Sequence, residues 1–213
     1  MAELNDSKIS ELGIKKIKRI IDGIINDNES TAGQGMFWNV LVPKEIPFVL
    51  KTERKLYDES QEKYRRKSLL QYPIIRDSIG KEFLPKQAVL LAHDSERFYV
   101  LQEKMPLQKM TSIRNKNIDS VIAGDYGQEI VNALSEEKNK EKLREFISGV
   151  ERLYKDHKLI IDTVGDNLFF NVSEGGDLNI KLVDYGAFKQ RGDVPNSDIK
   201  EVLVFLEKLT NLL

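Results

Sequence analysis

Asp162-Thr-Val-Gly-Asp-Asn167, followed seventeen residues beyond the Asn by Asp184-Tyr185-Gly186, is the stretch on which the reading of this chain turns. Phosphoryl transfer asks for a carboxylate to take the proton of an attacking hydroxyl. It also asks for a carboxamide oxygen on a magnesium ion and a second carboxylate holding magnesium across the phosphates. Asp162, Asn167 and Asp184 supply those groups in that order. Taken alone, each fragment reads more readily as a turn or a strand end than as a site, so the surrounding chain has to decide.

Immediately upstream, residues from Ser135 to His157 carry Leu143, Phe146, Ile147, Val150, Leu153 and Tyr154 at helical spacing, which predicts a long amphipathic helix delivering the chain to Asp162. A shorter helix is expected from Gly127 to Ala133. Downstream, Leu168-Phe-Phe-Asn, the Gly175-Gly176 turn and Leu178-Asn-Ile-Lys-Leu-Val read as a small hairpin with Asp162 and Asp184 near its ends. A last helix, from Ser197 or Asp198, runs through Val202, Leu203, Phe205, Leu206 and Leu209.

The first half reads differently. Gly33-Gln-Gly35 is a glycine turn entering the β-favouring run Phe37 to Val42, and Pro43 to Pro47 connects it to a second strand, Phe48-Val-Leu-Lys51. A glycine turn suits phosphate because backbone N–H groups can approach oxygens with no Cβ in the way. Residues 58 to 76 predict a charged helix lying on a sheet, with Pro73 bending or ending it. Ala88 to Ala92 and Arg97 to Gln102 read as two further strands. At the N-terminus, Ile9, Leu12, Ile17, Ile20, Ile21, Ile24 and Ile25 predict an amphipathic helix over about Ser7 to Ile25, followed by a turn-like stretch to Ala32.

Composition narrows the chemistry. With 33 basic against 34 acidic side chains and 40% hydrophobic residues, the 213-residue chain has the profile of a soluble globular protein and offers no support for nucleic-acid binding. No apolar run of spanning length and no signal-peptide pattern is present, so a cytoplasmic location is expected. The absence of cysteine removes disulfides, thiolate metal sites and cysteine nucleophiles, and only His93 and His157 supply imidazole.

In order, these elements resemble the protein-kinase-like superfamily. Gly33-x-Gly35-x-Phe37-x-x-Val40 resembles its glycine-rich loop, and Phe48-Val-Leu-Lys51 its third-strand lysine segment. Leu153-Tyr154, with Asp162 to Asn167, resembles its catalytic loop, and Lys181-Leu-Val-Asp184-Tyr-Gly186 its magnesium loop. The resemblance implies an α+β, two-lobed fold: an N-terminal helix and linker over 1–32, a mostly antiparallel β N-lobe over 33–105, and a truncated helical C-lobe over 106–213. It further implies that ATP and Mg2+ bind here, with Gly33 and Gly35 at the phosphates and Lys51 on the α and β phosphates. Glu62 or Glu59 would pair with Lys51, and backbone groups of Glu103 and Met105 would hold adenine. Asp162 would be the base, with Asn167 and Asp184 on magnesium.

The match is incomplete in ways that matter. Trp38 stands where the family has its last loop glycine, Ile160 and Ile161 replace the His and Arg before the base, and Val164 replaces a lysine beside the transferred group. Only eleven residues separate Gly186 from Asp198, so the usual peptide-docking platform is missing. These traits resemble the small Rio-type and tRNA-modification-associated kinases. They imply a phosphotransferase acting on a hydroxyl of a protein, this chain included, or of a small molecule. The alternative is a pseudokinase, a nucleotide-binding scaffold or ATPase switch acting through a protein partner, with the N-terminal helix as a docking element.

Overall fold

The structure, a computed structural model, describes residues 10–12, 19, 22, 30–34, 38–43, 48–53, 69–92, 97–105, 111–112, 127–160, 167–183, 189–190, 203–204, 207–208 and 210–211. The protein is α+β, and its chain divides into two compact units, residues 1–73 with 85–105 and residues 74–84 with 106–213.

The first unit is built on a six-stranded sheet. Its strands are β1 (Ser10–Leu12), β2 (Ser30–Gln34), β3 (Trp38–Pro43), β4 (Phe48–Glu53), β5 (Gln87–Ala92) and β6 (Arg97–Glu103), in the order β1-β5-β6-β4-β3-β2. All neighbours are antiparallel except β1, which runs parallel to β5. Valine, leucine and aromatic side chains fill β3, β5 and β6, as a pleated, half-buried surface favours.

Two expectations are corrected here. The spacing of Ile9 and Leu12 predicts helix, yet Ser10–Leu12 is a strand laid along Leu90–Ala92, and helix is found further on, at Arg19 and Asp22. The edge of β5 offers unpaired backbone N–H and C=O groups, and pairing with them outweighs a local preference. Likewise the turn-like reading up to Ala32 and the glycine turn at Gly33 give way to β2, in which Gly33 sits opposite Val40.

In the second unit the organising element is α3 (Glu137–His157), preceded by α2 (Gly127–Leu134). Leu143, Phe146, Val150 and Leu153 are all at most 1% exposed, so the expected helical stripe is the buried one. Against it lies the segment 74–84, which holds all but the first two residues of α1 (Tyr72–Ile79) and the 3-10 turn Lys81–Phe83. Gly149 lets the two helices approach: a Cβ there would lie 2.6 Å from Ile79 Cα. The Arg152 guanidinium donates to the Ser78 carbonyl at 2.9 Å, satisfying a C-terminal acceptor of α1, and Phe83 meets Phe146 edge-on at 5.3 Å. Leu69 and Leu70 are helical and Gln71 is a turn, so the helix that reaches Leu70 ends just ahead of Pro73 as expected; Pro73 is then the second residue of α1, where its missing N–H does no harm. From Ile74 on, the helix belongs to the second unit and not to the sheet's; residues 58–68 of the expected helix lie outside the described residues.

Beyond α3 the chain turns at Lys158 (φ 58°) and makes β8 (Leu159–Ile160), which pairs with β11 (Lys189–Gln190). Between them, β9 (Leu168–Val172) and β10 (Leu178–Leu182) form the expected hairpin, and β7 (Thr111–Ser112) adds to the far side of β9. Leu168, Phe170, Leu178, Ile180 and Leu182 are buried. No helix among the described residues is long and apolar enough to cross a membrane.

Asn139, 2% exposed, clamps this hairpin to the helices. Its Nδ2 donates to Ala133 O at 2.8 Å and Gly176 O at 2.9 Å, and its Oδ1 accepts from Leu178 N–H at 2.9 Å. The neighbouring Lys138–Asp177 ion pair, at 2.7 Å, is half-exposed; the Lys138 ammonium holds the Asp177 carboxyl below its usual range, but solvent screens the contact. Asn139→Leu is therefore expected to cost about 2–4 kcal/mol in chemical denaturation, because it strands buried backbone groups, whereas Lys138→Ala should cost far less. Gly149→Ala should destabilise by about 1–3 kcal/mol despite alanine's better helix propensity, since the groups it strikes are backbone and cannot step aside.

Candidate functional site

Two clusters of the expected residues can be built from backbone register. On the sheet, Gly33, Val40, Lys51, Val100 and Val89 are successive partners across β2, β3, β4, β6 and β5. Partners directly opposite one another point to the same face. Lys51 therefore rises from a row of valines, of which Val89 and Val100 are buried, and is itself half-buried. Gly33 stands two strands away, about 10 Å from Lys51, and ends the row without a side chain. Among the described residues Lys51 makes no ion pair or hydrogen bond, so its ammonium is available to an anion.

The same face holds a carboxylate that the sequence reading overlooked. Glu53, two residues along β4 and opposite Trp38, projects beside Lys51 and is engaged in an interaction of its own. The signal was there in the strand period, since residues i and i+2 share a face. Glu62, Glu59 and Gly35 lie outside the described residues.

Glu103 closes β6, and Met105 follows it, half-buried. The Glu103 N–H donates to Lys86 O at 2.7 Å, and its Oε2 accepts from Lys86 N–H at 3.1 Å. Of the Glu103 backbone groups expected to meet adenine, the N–H is thus taken, leaving the carbonyl as the candidate.

The second cluster is the open end of the β9–β10 hairpin. Leu168 pairs with Leu182, and the Asn167 carbonyl accepts from Val183 N–H at 2.7 Å. Val183 is followed directly in sequence by Asp184. Asp162 and Asp184 lie outside the described residues. Ile160, two residues before Asp162, is held in β8 opposite Lys189. Lys181, on β10, donates to Leu84 O at 3.2 Å, anchoring the strand that leads to Asp184.

No protein-family model and no curated protein matches the chain. Among solved structures, one described as WaaP in complex with acyl carrier protein is similar at a TM-score of 0.44 and 10% identity, covering 93% of this chain and 79% of that one.

The Asn167–Val183 bond has a direct test. Val183→Pro removes the donor and should cost about 1–3 kcal/mol in denaturant melts, with faster amide exchange along β9 and β10, while Val183→Ala keeps the N–H and the protection.

Proposed function

We propose that this protein is a kinase-like phosphotransferase that uses ATP and magnesium to phosphorylate a hydroxyl of a protein, itself included, or of a small molecule. The observation that carries the reading is the hairpin register that joins Asn167 to Val183 and so to Asp184. In this reading Asn167, held in the hairpin, and Asp184, the residue after Val183, are the two oxygen donors of the magnesium site, whose charge stabilisation requires no reorganisation. Lys51, half-buried among valines and without a carboxylate partner among the described residues, suits the α and β phosphates. Asp162 is the base of this scheme: its carboxylate takes the proton of the acceptor hydroxyl as the oxygen attacks. Magnesium, held by Asn167 and Asp184, would supply neutralisation of the phosphate charge. The glycine at position 33 lets a phosphate approach the end of the Lys51 row.

A second reading has a specific observation behind it. Trp38, which replaces a loop glycine of the family, lies within β3 opposite Glu53, where it cannot give the backbone N–H access a glycine would give. That favours a scaffold that binds nucleotide and acts through a partner protein.

Melting curves with ATP and magnesium, combined with transfer of the γ-phosphoryl group, separate the two. Saturating nucleotide, at about 100 times its Kd, should stabilise the wild type by about 2.7 kcal/mol, and Lys51→Ala and Asp184→Asn should abolish the gain. Asp162→Asn should keep the stabilisation and lose transfer by about 100-fold or more. Stabilisation without any transfer by the wild type would select the scaffold, and no magnesium-dependent stabilisation would sink both readings.

A further inference from the structure

One row along the sheet from Lys51, on the same face, two glutamines stand directly opposite each other. Gln87 on β5 and Gln102 on β6 are each 2% exposed, and Val49 on β4 completes their row. The offset from the row of Val89, Val100 and Lys51 is two residues, about 7 Å. Buried polar groups are as a rule hydrogen-bonded, yet Gln87 Nε2 has no partner among the described residues. Packing does not account for it. Apolar side chains in this row would fill the space as the neighbouring valines do, without taking an amide out of water.

The surroundings say what kind of ligand such a donor serves. β6 runs from Gln102 straight into Glu103-Lys104-Met105, the main-chain strip where a base is expected, and Gln87 follows Lys86, whose backbone is bonded to Glu103 twice. The carboxamides therefore stand at the strip's end of the β5–β6 pair, with the Lys51 ammonium one row away. A hydrogen-bonding heterocycle joined to an anionic chain matches that sequence of groups.

We propose that Gln87 and Gln102 form a base-recognition subsite, and that it accepts 6-oxo and 6-amino purines alike, so that GTP as well as ATP occupies the site. A carboxamide turned by a half rotation offers a donor or an acceptor at nearly the same point, so one residue answers either substituent. This rests on the nucleotide-binding reading of the Lys51 face.

Calorimetric titration of the full chain with Mg·ADP, Mg·GDP and tripolyphosphate tests it on wild type, Gln87→Leu, Gln87→Met and Gln102→Leu. The expected result is wild-type affinities for the two diphosphates within about tenfold of each other. Each Gln87 variant should lose about tenfold or more for GDP, with tripolyphosphate, which carries no base, unchanged. The ligand-free melting temperature of the Gln87 variants should hold or rise, because an orphaned buried donor has been removed. Wild type that binds ADP and rejects GDP overturns the subsite and leaves the nucleotide reading standing. Gln87 variants that melt earlier with unchanged affinities assign these residues to the fold and overturn it as well. Failure to bind any of the three probes overturns the nucleotide reading and this inference together.

Discussion

The register of the β9–β10 hairpin is the constraint on which the rest of this structure leans. Side chains alternate along a strand, so a slip of one residue would turn Leu168, Phe170, Leu178, Ile180 and Leu182 outward and separate Asn167 from Val183. Asn139 fixes that register from the turn end by holding Gly176 and Leu178 at once, and the Asn167–Val183 bond fixes it from the open end. Both pins use buried or half-buried amides, where an unmade bond is expensive and a made one is specific. The hairpin's packing and the spacing of its chemical groups are thus one problem with one solution.

A comparable economy holds on the sheet. Antiparallel pairing places Lys51 between Val40 and Val100, and the row reaches Gly33 at one side and Val89 at the other. The valines make the row that carries Lys51 apolar, while Glu53 sets a carboxylate one row away on the same face. In the adjacent polar row, Gln87 with Gln102, burial and polarity conflict, and conflicts of this kind collect at functional sites.

Much of this was legible in the sequence where a period ran long enough to be unambiguous. The stripe from Leu143 to Leu153 declared α3, and Gly175-Gly176 between two alternating runs declared the hairpin, with Gly176 at φ 79° supplying the turn. Short segments were not legible, because three residues cannot show a period: Ser10–Leu12 took its structure from a distant partner, β5. Pro73 marks an interruption that was legible, since the helix at Leu69–Leu70 stops at Gln71; that a second helix starts at once on the proline was not. At the candidate site, chemistry and spacing in the sequence were enough to single out Lys51 and Asn167. Glu53, Gln87 and Gln102 were missed because their meaning lies in which strand stands beside which, and that is tertiary information.

The segment 74–84 sits in sequence between strands of one unit and belongs to the other. Chain connectivity therefore passes from one unit to the other at residues 73/74, 84/85 and 105/106, and neither unit is a contiguous stretch. A fragment ending at Met105 would carry Ile75, Ile79, Phe83 and Leu84, all at most 1% exposed in the intact protein, with α3 and Phe146 gone. The contacts that bury them span roughly 60 to 100 residues of chain, so α1 can only finish packing after the second half has been made, a non-local closure that slows folding. In a growing polypeptide this helix is the piece that waits.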